Sequence, residues 1–199
     1  MKMVGVTGTN GKTTVAWLVQ HLLEAAQAPC GLIGTIVIRD GKLERPSGNT
    51  TPGAAALQGM LAQMRDNHLA ACSMEVSSHA LDQHRTDGIT WASAVFTNLS
   101  PEHLDYHQNV ENYLKAKLRL FESLAPDAAA VINRDDPMWQ RVCQATSARV
   151  LTYSLNEKAD FTAQEVEFSM EGIRCRLNTP EGKFLIHSPL IGRHNLENI

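Results

Sequence analysis

The sequence predicts an α/β protein: a mostly parallel sheet with helices on both faces, followed by a small antiparallel β appendage. Three observations carry this. Up to residue 155, short apolar runs of strand length alternate with segments of helical periodicity, the pattern of βαβ units. The first such segment repeats apolar residues at Val15, Leu18, Val19, Leu22, Leu23 and Ala26, the 3.6-residue spacing of one helix face. From Phe161 to Ile191 that spacing disappears, and Ile173-Arg174-Cys175-Arg176-Leu177 alternates with a period of two. A chain of 199 residues is long enough to bury about 70% of its unfolded surface in one domain. Residues 1–199 are therefore read as one domain, with 160–191 as the β-rich appendage.

Lys2 to Thr7 reads as a strand, and Thr13 to Ala26 as a helix ended by Pro29 and Gly31. Leu32 to Arg39 reads as a second strand closed by an Asp40-Gly41 turn. Thr51-Pro52 has the form of an N-cap followed by proline, opening a helix to about Asn67. Leu69 to Val76, Ser93 to Thr97, Ala128 to Ile132 and Arg149 to Tyr153 read as further strands. Val110 to Leu124 and Pro137 to Ala145 read as helices. Met170-Glu171-Gly172 and Thr179-Pro180-Glu181-Gly182 are turn signals within the appendage.

Composition excludes several classes. Eighteen Lys and Arg against 21 Asp and Glu give a formal net charge of −3, unsuited to a nucleic-acid coat or a polybasic membrane anchor. No apolar run is long enough to span a bilayer, and no signal-peptide core follows Met1. Cys30, Cys72, Cys143 and Cys175 form no C-x-x-C pair. Such spacing fits free thiols in a reducing, cytoplasmic compartment. No nucleic-acid or membrane partner is expected, and a monomer is the expected state.

Gly8-Thr9-Asn10-Gly11-Lys12-Thr13-Thr14 lies between the first strand and the first helix. Glycines let backbone N–H groups curl around phosphates, and the helix N-terminus adds its positive dipole end. Lys12 suits the β- and γ-phosphates, and the Thr13 hydroxyl suits Mg²⁺. The generic G-x-x-x-x-G-K-[ST] pattern is not fully met, since Val6 occupies its first glycine position.

In open parallel sheets ligands sit beyond the carboxyl ends of strands. Glu75, Asn98 and Asn133 fall at such ends and should converge with the phosphate loop. Glu75 is a hard oxygen donor suited to Mg²⁺. In the Val110–Leu124 helix, Lys117 lies within the apolar stripe of Leu114, Leu118, Phe121 and Leu124, whereas Lys115 and Arg119 point away. A lysine there must snorkel, find an anion or lose its charge. Thr51, Ser77, Gln83 and Arg85 supply polar groups near the same strand ends, Arg85 as a fork for a carboxylate or phosphate. Asn195 reads as the N-cap of a last helix.

These segments resemble, in the same order, the motifs of the Mur ligase family of ATP-dependent amide-bond-forming enzymes. The phosphate loop is followed by Asn49-Thr50-Thr51-Pro52, Met74-Glu75-Val76-Ser77-Ser78-His79, Phe96 through His107, and Tyr113 through Lys117. The combination is most similar to the MurE type, and the resemblance covers essentially the whole chain. It implies a P-loop nucleotide-binding fold that takes ATP on Gly8, Thr9, Asn10, Gly11, Lys12, Thr13 and Thr14. Asn195 and Asn198 of Gly192-Arg193-His194-Asn195-Leu196-Glu197-Asn198 would face the adenine.

The resemblance implies two Mg²⁺ ions, one on Thr13 and Glu75 and one on His103 and Lys117, the latter carbamylated by CO₂. It departs from the family at Glu102, where Asp is common. It assigns Asn49, Thr50, Thr51, Ser77, Gln83 and Arg85 to UDP-MurNAc-L-Ala-D-Glu, with meso-diaminopimelate or L-lysine as the amino acid added through an acyl phosphate. Lys12, Glu75, His103 and Lys117 are the expected catalytic set. Members of the family also carry an N-terminal domain for the uridine end and a C-terminal domain for the amino acid. This chain is thus expected to correspond to the central domain alone and to be incomplete for turnover. Other readings are a folylpolyglutamate synthase-like ligase, a P-loop kinase and a non-catalytic ATP-binding module.

Overall fold

The computed structural model describes residues 1–199. The strands are β1 (Lys2–Thr7), β2 (Cys30–Ile33), β3 (Val37–Arg39), β4 (Glu44–Pro46), β5 (Ala71–Glu75), β6 (Trp91–Phe96), β7 (Ala129–Asn133), β8 (Arg149–Ser154), β9 (Phe161–Ser169), β10 (Gly172–Thr179) and β11 (Gly182–Ser188). The helices are α1 (Lys12–Ala25), α2 (Ala54–Asp66), α3 (Ser78–Asp82), α4 (Leu104–His107), α5 (Val110–Glu122), α6 (Trp139–Gln144) and α7 (Arg193–Asn198). No helix is long and apolar enough to cross a membrane.

All strands join one sheet in the order β11-β10-β9-β8-β7-β6-β1-β5-β2-β3-β4. From β2 through β9 along that order the neighbours pair in parallel. The chain leaves β1, passes over β5 to β2, returns to β5, and crosses to β6 on the other flank of β1. The direction of winding reverses around β1, so a crevice opens beyond its carboxyl end. The phosphate loop lies there, between the ends of β5 and β6.

Alternation along the strands sorts the core into two layers. Met74, Ala94, Phe96, Ala130 and Ile132 face α2, α5 and α6 through Leu57, Met64, Leu120, Phe121 and Val142. Val6, Leu32 and Val95 face the opposite way, onto Val15 and Ala16 of α1. The helical stripe of α5 is buried throughout, Lys117 included.

Four local features differ from the sequence reading. Leu32 to Arg39 is two strands, because the chain turns at Gly34–Ile36 and β3 pairs antiparallel to β2. Thr51 does not cap α2. Its buried hydroxyl donates to the Glu75 carbonyl (2.8 Å) and accepts from Ser77 N–H (3.0 Å), and the helix begins after an extended Gly53. Asn195 lies inside α7, whose N-cap is Gly192 at φ 89°, a backbone that favours glycine. The antiparallel strands after residue 160 form as read, but they extend the main sheet and do not stand apart from it, since β9 pairs in parallel with β8.

Phe121 is fully buried and meets Phe96 edge to face with ring centroids 6.3 Å apart. Phe121→Ala is expected to lower the unfolding free energy by about 3–5 kcal/mol, measured by chemical denaturation.

Candidate active site

The phosphate loop is shaped by two glycines. Gly8 has φ 148° and Gly11 φ 86°. A Cβ on Gly8 would collide with Thr97 Oγ1, and one on Gly11 with Asn198 Oδ1. Neither position has room for a side chain, and Gly11 brings α7 against the start of α1. Gly11 is also the left-handed N-cap of α1, where no side chain caps the helix. The first-turn N–H groups, those of Lys12, Thr13 and Thr14 among them, face the crevice without such a cap, a disposition that suits an anion.

The end of β6 braces the loop. Thr9 N–H donates to the Asn98 carbonyl (2.8 Å) and Asn10 N–H to Asn98 Oδ1 (2.9 Å). Thr97 Oγ1 donates to the Asn10 carbonyl (2.6 Å), and Ser100 N–H to Thr9 Oγ1 (2.9 Å). Asn133, at the end of β7, donates to the Thr97 carbonyl (2.8 Å), and Asp136 accepts Leu99 N–H (2.6 Å). Two strand ends, those of β6 and β7, therefore hold one loop.

Two lysines meet at this loop. Lys12 Nζ donates to the carbonyls of Gly8 (3.0 Å) and Thr9 (2.8 Å). Lys117, 1% exposed, donates from α5 to the same Gly8 carbonyl (2.8 Å). Its amine sits 4.4 Å from the centroid of the Tyr113 ring, one helical turn earlier, and it forms no ion pair. The Tyr113 hydroxyl is 3.2 Å from Thr9 Oγ1, so the same tyrosine touches both loop and lysine. Burial, reinforced by neighbouring Lys12, holds the Lys117 amine well below the ordinary lysine range. Burial also lowers Lys12, partly offset by the carboxylates of Glu75 and Glu102.

Glu75 ends β5 and is 1% exposed. Its Oε2 accepts the Thr13 hydroxyl at 2.9 Å, and Thr35 N–H donates to Oε1 at 2.8 Å. It makes no ion pair, so a buried carboxylate faces Thr13 with only neutral partners. Two hard oxygens beside an unpaired charge suit a small divalent cation. No group of three His, Cys, Asp or Glu side chains encloses a metal. Glu75 and Thr13 would hold such an ion by two protein ligands only, which suits Mg²⁺, an ion that usually keeps several waters.

His103 lies on the rim, its side chain 47% exposed, with Nε2 3.7 Å from Glu102. Its backbone is left-handed at φ 55°, as N-cap of α4. Its ring stands 6.2 Å from that of Tyr113 and 4.8 Å from that of His79. Tyr113 thus bridges His103 and Lys117. His107 is buried with Nε2 3.0 Å from Ser78 Oγ, a structural tie between α4 and α3.

A second polar group borders the crevice. Arg85 donates to the Thr51 carbonyl (3.0 Å) and to Gln83 Oε1 (3.0 Å), and Gln83 donates to the Tyr106 hydroxyl (3.2 Å). Ser77 caps α3 through Ala80 N–H. Thr50 Oγ1 contacts Thr35 Oγ1 (3.1 Å), while Asn49 is exposed and its carbonyl accepts from Ser47 Oγ (2.7 Å). Asn195 and Asn198 are joined at 3.2 Å, the latter against Gly11. The structure ties Thr51 to the end of β5 and Asn198 to the phosphate loop after β1, both at the carboxyl end of the parallel strands. Sequence reasoning missed Thr35, Tyr113 as a separate contact, and Thr97. Only Tyr113 carried a signal, its four-residue spacing from Lys117.

Fold and site define a nucleotide-binding α/β domain with a glycine-rich phosphate loop at the switch point of its sheet. Residues 6–199 match the family described as Mur ligase middle domain, and the chain belongs to that family. It is 45% identical over 203 residues to the UDP-N-acetylmuramoyl-L-alanyl-D-glutamate–2,6-diaminopimelate ligase of Geobacter sulfurreducens, covering 99% of this chain and 40% of the relative. It is 44% identical over 200 residues to the ligase of the same name from Synechococcus elongatus, covering 100% and 40%. A solved structure of a ligase of that name superposes with a TM-score of 0.84 at 35% identity, covering 100% of this chain and 41% of that one. The chain thus spans about two fifths of the length of these curated relatives.

The Lys117 amine gives a pH signature. The unfolded amine titrates near 10.5 and the folded one well below it. Between those values the unfolded state binds the extra proton, so this group's contribution to stability rises with pH through that window. Tyr113, raised mainly by burial, acts in the opposite sense near its own range. Comparison with Lys117→Met isolates the lysine. The free energy of the wild type relative to Lys117→Met is expected to climb as pH approaches 10.5 and to level off beyond, in urea titrations at several pH values.

Proposed function

We propose that this chain is the ATP-binding unit of an acid–amino-acid ligase that extends UDP-MurNAc-L-Ala-D-Glu during peptidoglycan precursor synthesis. The observation that carries the reading is the convergence of Lys12 and Lys117 on the Gly8 carbonyl, beside the buried Glu75–Thr13 pair. Whole-chain likeness to two diaminopimelate ligases supports 2,6-diaminopimelate as the amino acid added. Residues beyond this domain, of the kind that make up the rest of those relatives, would bind the uridine end and the amino acid. The four free thiols fit a cytoplasmic setting.

In this reading the loop N–H groups and the first turn of α1 hold the ATP phosphates. Asn195 and Asn198 offer amide donors and acceptors to the adenine. Thr13 and Glu75 would hold one Mg²⁺, and His103 with a carbamylated Lys117 a second. Bound divalent ions neutralise phosphate charge. The carbamate is supported by an amine that is buried, lowered and without an anionic partner. Its lone pair adds to the carbon of CO₂, one N–H proton leaves to solvent, and an N-carboxylate remains.

Asn49, Thr50, Thr51, Ser77, Gln83 and Arg85 orient the UDP-sugar peptide so that its carboxylate meets the γ-phosphorus in line. The carboxylate oxygen forms a bond to phosphorus as the bond to ADP breaks, leaving an acyl phosphate. Lys12 stabilises charge on the equatorial oxygens during that transfer. The amine of the amino acid then attacks the acyl carbon, loses a proton, and inorganic phosphate departs. The domain contributes positioning and charge stabilisation.

Phosphate release that requires both UDP-MurNAc-L-Ala-D-Glu and 2,6-diaminopimelate is the expected result in a complete ligase carrying this domain. A phosphorylated product formed without amine would instead mark a kinase. Lys117→Ala is expected to abolish ligation, with partial rescue by short carboxylates, and an unchanged kcat removes Lys117 from the mechanism. Gly8→Ala is expected to weaken ATP binding by the 199-residue chain by at least about tenfold, the equivalent of about 1.4 kcal/mol, as read by calorimetry.

A further inference from the structure

Glu75 is gripped from a side that no nucleotide contact explains. Where β2 ends, the chain turns through Gly34 and Thr35 before β3. Thr35 N–H donates to Glu75 Oε1 (2.8 Å), and the Thr35 hydroxyl lies 3.0 Å from Oε2. Gly34 passes so close that a Cβ there would collide with Oε1. The same hydroxyl lies 3.1 Å from Thr50 Oγ1. The Thr35 hydroxyl has one proton and faces two acceptors, Glu75 Oε2 and Thr50 Oγ1, of which the carboxylate is the stronger. Thr13 donates to Oε2 from the opposite side at 2.9 Å. An unbroken hydrogen-bonded path runs from Thr50 through Thr35 and Glu75 to the first turn of α1.

We propose that Thr35 is a positioning residue: it locks the rotation of the Glu75 carboxylate toward Thr13 and couples the Asn49–Thr51 segment to the metal site. The proposal rests on the reading of Glu75 as a Mg²⁺ ligand. With Oε1 held by the Thr35 N–H and Oε2 by the Thr35 and Thr13 hydroxyls, the carboxylate has a single orientation, in which Oε2 faces Thr13. Groups that orient a ligating carboxylate typically change metal affinity 10–100-fold when removed. Because Thr50 and Glu75 face one proton, a ligand that engages Thr50 leaves that proton to Glu75 and sharpens the metal site, and a metal on Glu75 alters the Thr50 contact in return.

The test is calorimetric titration of the 199-residue chain with a non-hydrolysable ATP analogue, in Mg²⁺ and in EDTA. The readout is the ratio of the two affinities. Thr35→Val keeps the shape and the N–H donor but removes the hydroxyl. It is expected to cut the Mg²⁺ enhancement about tenfold while the EDTA affinity stays within about twofold. Thr35→Ser restores the hydroxyl and should restore the enhancement. Thr50→Val removes the rival acceptor and should raise it by a smaller factor. Glu75→Gln is the control for the underlying reading: an unchanged enhancement there removes Glu75 from the metal site. If Glu75→Gln loses the enhancement while Thr35→Val keeps it, the positioning role is overturned. Equal losses in Mg²⁺ and EDTA for Thr35→Val, without rescue by serine, overturn it as well. A wild-type ratio in Thr50→Val overturns the coupling.

Discussion

The Gly8 carbonyl accepts two lysine amines, one from the loop's own helix and one from a helix more than a hundred residues later. Two ammonium groups on one oxygen repel, and burial penalises each charge further. The arrangement becomes favourable when one amine is neutral or when an anion enters between them. The site therefore favours a negative charge. The unpaired carboxylate of Glu75 adds the complementary need for a cation beside Thr13. A polyphosphate carrying a divalent ion meets both needs at once.

This balance depends on the loop holding its shape without ligand. Gly8 and Gly11 adopt backbones that a side chain would obstruct, and residues from β6 and β7 fix the loop's carbonyls and amides. The winding reversal at β1 is what places β5 and β6 on either side of it. Donors and charges arranged before binding need no reorganisation during phosphoryl transfer, which is where electrostatic catalysis gains most. Tyr113 extends the same logic, because its hydroxyl meets Thr9 while its face carries Lys117.

The residues proposed to face the substrate form a more open margin. Thr51 ties down the end of β5, whereas Asn49 and His103 stand exposed at the rim. Arg85 is already engaged by Gln83 and the Thr51 carbonyl, so a bound carboxylate or phosphate must share or displace those contacts. The contrast between a braced phosphate site and a more open rim suits a reaction in which the nucleotide end is constant and the acceptor end must admit successive reactants.

Local patterns determined much of this in advance. Periodicity marked α1 and α5, apolar runs marked the parallel strands, and the stripe of α5 placed Lys117 inward. These features were legible because burial of one face imposes its own spacing. Thr51, Asn195 and Thr35 were misjudged or missed for the opposite reason. Capping patterns predicted local partners for Thr51 and Asn195. Thr51 instead found the end of β5, and Asn195 donates from within α7 to the Ile191 carbonyl. Thr35 sits in a β-branched stretch that reads as an uninterrupted strand, and its importance comes from a carboxylate forty residues away. The amino-acid order alone determined which faces are buried and where phosphate can bind. Only the tertiary structure decided which polar groups complete the site, because hydrogen bonds between distant strand ends leave no period in the chain.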